Sequence, residues 1–476
     1  MPKPADKDRK KLIKPELPGG FRDVLPSQMI AKQKMMEAIR GVFEKFGFDP
    51  METPAVERTD VLITGDKESD KIIFRVAPAV RGEVKDTDRD EASLRFDLTV
   101  PLARVLAANP DIPKPFKRYQ IGNVWRGERS QFGRYKEFTQ MDIDILGVKS
   151  ADADAEVIQV MYEAMKTLGI DNFKIRLNDK EEMLKLLDEF GIPENNRKVL
   201  LIAVDKKDKL SPDKWKNEVI RASGISPEAA EKYLWKISGE NMLETTKIKA
   251  LREKVEKLGV PQKYLIYDTS LVRGFGYYTG SVFETVLTDI PEIGSVFSGG
   301  RFDGLTSRFS RESWPAVGAS VGVDRLLAAL EKLGKIKKQA TLVQVLVLNL
   351  SPELASDYSQ VLKNLRIEKI RSMLYIGDDM SFQNQLAYAV KKEIPFVLIY
   401  GEKEKLSGNP QIKVSTACPN ATLLCNFLRS VKLFPFSSLF IVLLLRTKKP
   451  PIRRFLVFGT RINIYPNLPN RHSLYK

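Results

Sequence analysis

The chain is nearly without histidine and cysteine. Its one histidine, His472, is the fifth residue from the end, and its two cysteines are Cys418 and Cys425. A Ser-His-Asp or Cys-His nucleophilic site needs a histidine within the folded body. A His/Cys zinc site needs more ligands than these. Two cysteines make no disulfide framework, so the chain reads as cytoplasmic. The Lys- and Pro-rich opening lacks the apolar stretch of a signal peptide. No run of about 18 or more apolar residues exists to span a membrane. Acids are absent from one region only: residues 405–476 hold 12 Lys and Arg and no Asp or Glu. The preceding 404 residues hold 65 basic against 61 acidic residues. The net charge of +16 therefore belongs mostly to the tail, and it says little about nucleic-acid binding by the body.

What is present is a soluble globular composition, 43% hydrophobic and 29% charged, over 476 residues, which suggests two to four domains. Residues 1–16 read as a charged N-terminal arm. A helix is expected over 27–46, with Ser27 as cap and Gly47 as stop, and a second over 153–168. The Lys/Glu-rich, helically periodic stretch 177–262 reads as an insertion, and strands return at 264–288. Residues 334–341 form a linker. Beyond it, strand 342–348, helix 352–364 capped by Ser351, strand 372–376, helix 381–392 and strand 395–400 alternate as a small α/β domain. Neither a Walker loop nor a dinucleotide fingerprint is present.

Two segments carry a chemical face. Over 94–100, Leu94, Phe96, Leu98 and Val100 alternate with Arg95, Asp97 and Thr99, which predicts a strand with one apolar face. Over 138–146, Met141, Ile143 and Ile145 alternate with Phe138, Gln140, Asp142 and Asp144. One such strand is an ordinary solvated face. Two, each setting carboxylates beside neutral polar groups, suit a cleft for an ammonium or other cation. The hairpin loop 127–136 adds Arg129, Arg134 and Lys136 just after Arg126, and guanidinium forks match phosphate oxygens. The cleft would then hold a cationic small molecule beside a polyphosphate. Three further segments are less telling alone. LVRGFGYYTG (271–280) carries Arg273 and a Tyr pair that suits core packing. SGGRFDGL (298–305) permits close backbone approach to a ligand or a tight turn, the turn being the default reading. VGASVGVDRLL (317–327) leads into a helix bearing Arg325.

Together these segments resemble the histidine–tRNA ligase family of class II aminoacyl-tRNA synthetases. LPGGFRDVLP (17–26) is similar to the family's opening, ETPAVERTDVL (52–62) to motif 1 and LRFDLTVPLARVLA (94–107) to its substrate strand. RYQIGNVWRGERSQFGRYKEFTQMDIDILG (118–147) resembles motif 2, LVRGFGYYTG the histidine loop, and VGVDRL (321–326) motif 3. The likeness runs over roughly 16–413 in the family's order.

The resemblance implies an α+β catalytic core over 17–333 with a mixed, mostly antiparallel sheet, interrupted by the 177–262 helical insertion. It also implies an anticodon-binding-like α/β domain over 342–413. By position, Asp97, Thr99 and Gln140 match the residues that hold the histidine α-ammonium. Asp144 and Tyr278 match those that read the imidazole, with Tyr277 beside them. Arg126 matches the α-phosphate arginine, Glu128 the acid on the adenine side, Arg134 the motif 2 loop arginine and Phe138 the stacking partner of adenine. Arg325 matches the motif 3 arginine near the γ-phosphate, and Arg273 the arginine at the reacting carboxylate. The implied substrates are L-histidine, ATP with Mg²⁺ and tRNA(His), in a homodimer off the membrane. Arg126, Arg273 and Arg325 would carry catalysis.

Two departures stand out. Gly276 replaces the family's usual Asp in the histidine loop. Residues 414–476 resemble nothing in the family, so the anticodon-binding domain is expected to be incomplete. This stretch is a frameshifted or read-through extension, the preferred reading, or a genuine basic RNA-binding appendage. Its apolar run 439–445 is too short to span a bilayer. The main rival is a non-catalytic histidine-sensing paralogue, the regulatory subunit of the first enzyme of histidine biosynthesis. Such chains lack the C-terminal domain and commonly lose the ATP-contacting arginines that are present here. A synthetase for another amino acid is opposed by Asp144 with Tyr277 and Tyr278. A nucleic-acid-binding module without catalysis is opposed by the near-neutral body.

Overall fold

The computed structural model describes residues 13–63, 65, 70–77, 91–129, 133–207, 210–238, 244–272, 277–336, 339–407, 410–415, 440–444 and 457–458. Arg273, Gly276 and most of the N-terminal arm and basic tail lie outside these residues. Contacts divide the chain into two units. One comprises residues up to Asp23 with Lys32–Lys337, the other Val24–Ala31 with Lys338–Lys476.

The strands of the first unit are β1 (Asp49–Pro50), β2 (Val56–Arg58), β3 (Phe74–Val76), β4 (Ala92–Leu94), β5 (Phe116–Trp125), β6 (Glu137–Leu146), β7 (Phe173–Asp179), β8 (Leu265–Tyr267), β9 (Ser281–Leu287), β10 (Ser295–Arg301) and β11 (Ala316–Gly322). Eight of them form one sheet in the order β1-β5-β6-β11-β10-β9-β7-β8. The β1–β5 and β7–β8 pairs are parallel, and the other neighbours are antiparallel. β2, β4 and β3 make a separate small sheet. The mixed, mostly antiparallel core expected from the sequence is thus present.

The β5–β6 hairpin is the spine of the site. Its register is continuous from Phe116 opposite Leu146 to Trp125 opposite Glu137. Met141 and Ile143 are fully buried and Ile145 nearly so, each stabilising by about 2 kcal/mol on burial. Period-two alternation places Gln140, Asp142 and Asp144 on the opposite side of the strand, and these are buried too. The helix Ala151–Thr167 lies along β6 and β9–β11, with Val157, Ile158, Met161 and Ala164 fully buried. Ser150 caps it by accepting the Asp152 N–H.

Two local expectations fail here. The expected strand 94–100 ends at Leu94, and a helix runs from Thr99 to Ala108. Asp97 Oδ1 accepts the Val100 N–H at 3.0 Å, and Pro101 sits in the first turn, where its missing donor is not needed. Those local signals outweigh the alternation. The glycines of SGG lie inside β10 rather than in a turn. A Cβ at Gly300 would meet the Tyr278 ring at 3.1 Å, and one at Gly299 would meet the Gly318 carbonyl at 2.1 Å. They serve close approach between parts of the protein itself.

The long helix spans Pro26–Lys45, so Ser27 lies within its first turn rather than capping it, and Gly47 follows with φ +74°. The insertion comprises helices Lys180–Glu189, Glu194–Val204, Pro212–Ser223, Pro227–Ser238 and Thr246–Lys257. The first is capped by Asp179, which accepts the Glu181 and Glu182 N–H groups. Trp215, Val219, Tyr233 and Leu234 belong to this insertion's own core.

The second unit holds β12 (Val345–Val347), β13 (Ser372–Leu374), β14 (Phe396–Ile399), β15 (Gln411–Ser415), β16 (Phe440–Leu444) and β17 (Val457–Phe458), in the order β13-β12-β14-β15-β16-β17. Helices Ala355–Ile367 and Phe382–Lys391 alternate with its first strands, the latter capped by Ser381 as Asn384 N–H donates to its hydroxyl. Ser351 makes no such side-chain cap. β16, inside the apolar run of the tail, pairs parallel with β15.

Candidate active site

One cleft in the first unit gathers eleven of the twelve residues singled out from the sequence: Asp97, Thr99, Arg126, Glu128, Arg134, Phe138, Gln140, Asp144, Tyr277, Tyr278 and Arg325. The twelfth, Arg273, lies outside the described residues. Counting space open to solvent, the cleft encloses about 960 Å³.

One end is acidic and buried. Asp97, 1% exposed, is held from two sides, by the Val100 N–H and by the Tyr277 hydroxyl, which donates to Oδ2 at 3.3 Å. Burial raises its pKa, while these bonds and the charge of Arg126 act the other way. Asp144 faces Gly318 across the β6–β11 ladder. A Cβ on Gly318 would lie 1.9 Å from Asp144 Oδ1, so only glycine leaves room for that carboxylate. Fully buried Arg118, opposite Asp144 on β5, pairs with its Oδ2 at 2.6 Å. The contact is close but lacks hydrogen-bond alignment. Burial lifts the Asp144 pKa to about 6 despite Arg118, and Asp97 adds to the rise. Asp142 is lifted by burial to about 7, with Arg118 opposing and Asp144 adding. Tyr277 and Tyr278 pack edge to face at 5.2 Å, and both phenols are kept protonated by burial and the carboxylates nearby.

The other end carries guanidinium groups. Arg126 leaves the end of β5, donates to the Phe96 carbonyl at 3.0 Å and lies 5.1 Å from the Phe138 ring centroid. Arg134 pairs with Glu128 at 3.1 Å across the hairpin loop. Arg325 sits in the first turn of the helix Val323–Lys332, with one guanidinium nitrogen 2.6 Å from the Ser295 carbonyl. Three cations beside an aromatic ring suit a polyphosphate joined to a base. The buried acids suit an ammonium and a ring nitrogen.

Sequence reading missed several groups. Asp142 was placed on the correct face but not in the site. Arg118 and Ser320 enter only through strand register, which no single segment displays. Asp324 was missed too. Its carboxylate accepts from Arg22 at 2.6 Å, from Lys32 at 3.1 Å and from the Thr139 N–H at 2.7 Å, tying the opening segment and β6 to the residue just before Arg325. The Arg22 guanidinium also lies 4.0 Å over the Tyr135 ring.

A sheet of this order, with an arginine-bearing hairpin and a helix-borne arginine around one cleft, defines a class II aminoacyl-tRNA synthetase. The family model for histidyl-tRNA synthetase matches residues 20–326, and that for an anticodon binding domain matches 344–417. The histidine–tRNA ligase of Wolinella succinogenes is 39% identical, over 84% of this chain and 94% of its own length. That of Helicobacter hepaticus is 38% identical, over 83% and 92%. The crystal structure of histidyl-tRNA synthetase from Nostoc sp. PCC 7120 is 30% identical, covers 85% of this chain and 95% of its own, and has a TM-score of 0.73. The chain belongs to the histidyl-tRNA synthetase family. Among the described residues, no helix is long and apolar enough to cross a membrane.

Proposed function

We infer that the chain activates L-histidine with ATP and transfers it to the 3′ end of tRNA(His). The observation that carries this reading is a single cleft with buried carboxylates at one end and Arg126, Arg134 and Arg325 at the other. A histidine carboxylate oxygen attacks the α-phosphorus of ATP, the bond to the bridging oxygen breaks, and pyrophosphate leaves with that electron pair. A ribose hydroxyl at the tRNA end then attacks the adenylate carbonyl, losing its proton, and AMP leaves. Neither step needs a protein nucleophile, which suits a body without histidine. Catalysis is positioning plus charge stabilisation.

In this reading Asp97, Thr99 and Gln140 hold the α-ammonium, and Asp144 with Tyr278 reads the imidazole, Tyr277 bracing Asp97. Arg126 and Arg273 act at the reacting carboxylate and α-phosphate, and Arg325 near the γ-phosphate. Phe138 stacks on adenine, with Glu128 and Arg134 at its edge. Mg²⁺ enters as part of the ATP substrate, keeping several waters. We further propose a homodimer working in the cytoplasm, domain boundaries of 17–333 and 342–413, and anticodon recognition by the latter. The basic extension from 414 onward lies outside that scheme. The histidine-sensing paralogue is not favoured, since the curated relatives are histidine–tRNA ligases along most of this chain.

The test is aminoacylation of tRNA with a panel of amino acids, beside an Arg273→Ala variant. Acceptance of histidine alone, abolished in the variant, supports the reading. Charging with a different amino acid, or binding of histidine with no charging, overturns it.

A further inference from the structure

Gln140, Ser320 and Asp142 form a hydrogen-bond chain with a direction. Ser320 on β11 stands directly opposite Asp142 on β6, and Gln140 lies two residues along β6. The Ser320 hydroxyl donates to Asp142 Oδ1, and Gln140 Nε2 donates to the Ser320 oxygen at 2.6 Å. A serine hydroxyl has one proton, and once Asp142 is ionised, above about pH 7, its carboxylate only accepts. Once that proton goes to Asp142, the serine oxygen must accept from Gln140. The amide is thereby fixed with its nitrogen committed and its oxygen spare. Gln140 Oε1 is indeed buried without a hydrogen-bond partner among the described residues. An acceptor left in that state is costly until a donor arrives, and a ligand ammonium is such a donor. Were the chain reversed, Gln140 would present its NH₂, which an ammonium cannot use.

Asp142 is otherwise unexplained. It is 2% exposed and, among the described residues, in salt-bridge distance of no cation, whereas its neighbour Asp144 has Arg118.

We propose that Asp142, through Ser320, is a positioning residue that sets the polarity of Gln140 and so selects ligands bearing an α-ammonium. This rests on the reading of Gln140 as an ammonium ligand. The experiment is equilibrium binding, by calorimetry on the full chain above about pH 7, where Asp142 is ionised, of L-histidine and of 3-(imidazol-4-yl)propionate, which lacks only the amino group. The variants are Asp142→Ala, Ser320→Ala, Ser320→Thr and Gln140→Leu. Asp142→Ala and Ser320→Ala should each cut the preference for histidine roughly tenfold, the scale of one hydrogen bond to a charge, with the deamino analogue almost unaffected. Ser320→Thr, which keeps the hydroxyl, should restore the preference. The double variant Asp142→Ala/Ser320→Ala should lose no more than either alone, because both break one chain. Merely structural damage would weaken both ligands alike, and that result overturns the proposal. If Gln140→Leu lowers the preference but the Asp142 and Ser320 variants do not, the relay alone is wrong. If Gln140→Leu leaves the preference intact, the ammonium reading of Gln140 fails, and the relay fails with it.

Discussion

The two ends of the cleft are built differently. The acidic end stands on the middle of strand β6, where Asp142 and Asp144 lie against β11, and on Asp97 just before the helix Thr99–Ala108; all three carboxylates are buried and fixed by protein partners. The guanidinium end stands on a strand terminus, a hairpin loop and the first turn of a helix, and its Glu128–Arg134 pair is about a third exposed or more. Rigid, desolvated polar groups suit discrimination, because a wrong ligand leaves them unpaired. Charged groups nearer solvent suit a ligand of high charge that brings its own counter-ion and must leave as pyrophosphate.

That contrast can be broken or sharpened by substitution. The largest effect is expected for Arg126→Ala, which should lower kcat for histidine-dependent exchange by about 10³-fold but histidine affinity by only about tenfold, the scale of one charge-assisted hydrogen bond to its carboxylate. Equal losses in both would erase the division of labour. Next is Asp144→Asn. It strands the Arg118 guanidinium, which is 0% exposed, and should destabilise the fold by about 3–5 kcal/mol, read by denaturant unfolding.

The third effect depends on pH. Asp142 is lifted from 3.8 to about 7 by burial, with Arg118 opposing it and Asp144 and Asp97 reinforcing it. The folded state therefore binds more protons than the unfolded chain between those values. The stability from this group is fully present below about 4 and is lost as pH rises through about 7. Thermal unfolding of the ligand-free protein should show the parent losing ground to Asp142→Asn across that window. A constant difference would mean that Asp142 does not titrate there. The smallest effect is expected at Arg134. Arg134→Ala should shift stability by less than about 1 kcal/mol, because its ion pair is solvated, yet raise KM for ATP several-fold in steady-state kinetics.

The same contrast governed what could be read from the sequence. β6 was legible because Met141, Ile143 and Ile145 alternate strictly with the polar residues. The α/β elements of the second unit were legible because apolar runs alternate with helical periods. The segment at 94–100 is ambiguous in sequence: Phe96, Leu98 and Val100 alternate as in a strand, while Asp97 and Pro101 are helix-start signals that prevail. Ser320 and Arg118 were invisible, because their importance comes from register: Ser320 faces Asp142 across one ladder and Arg118 faces Asp144 across another. Asp324 is a similar case, since its partners Arg22 and Lys32 are remote in sequence. The guanidinium end was the easier half to read, as its residues cluster in one hairpin, and the resemblance to a known family supplied their assigned roles.

The most direct test of the central claim is histidine-dependent ATP–pyrophosphate exchange by the full chain against a panel of amino acids. Exchange with histidine alone is the predicted result, since activation requires both ends of the cleft at once. Measurable histidine binding with no exchange for any amino acid would contradict it and return the chain to a sensing role.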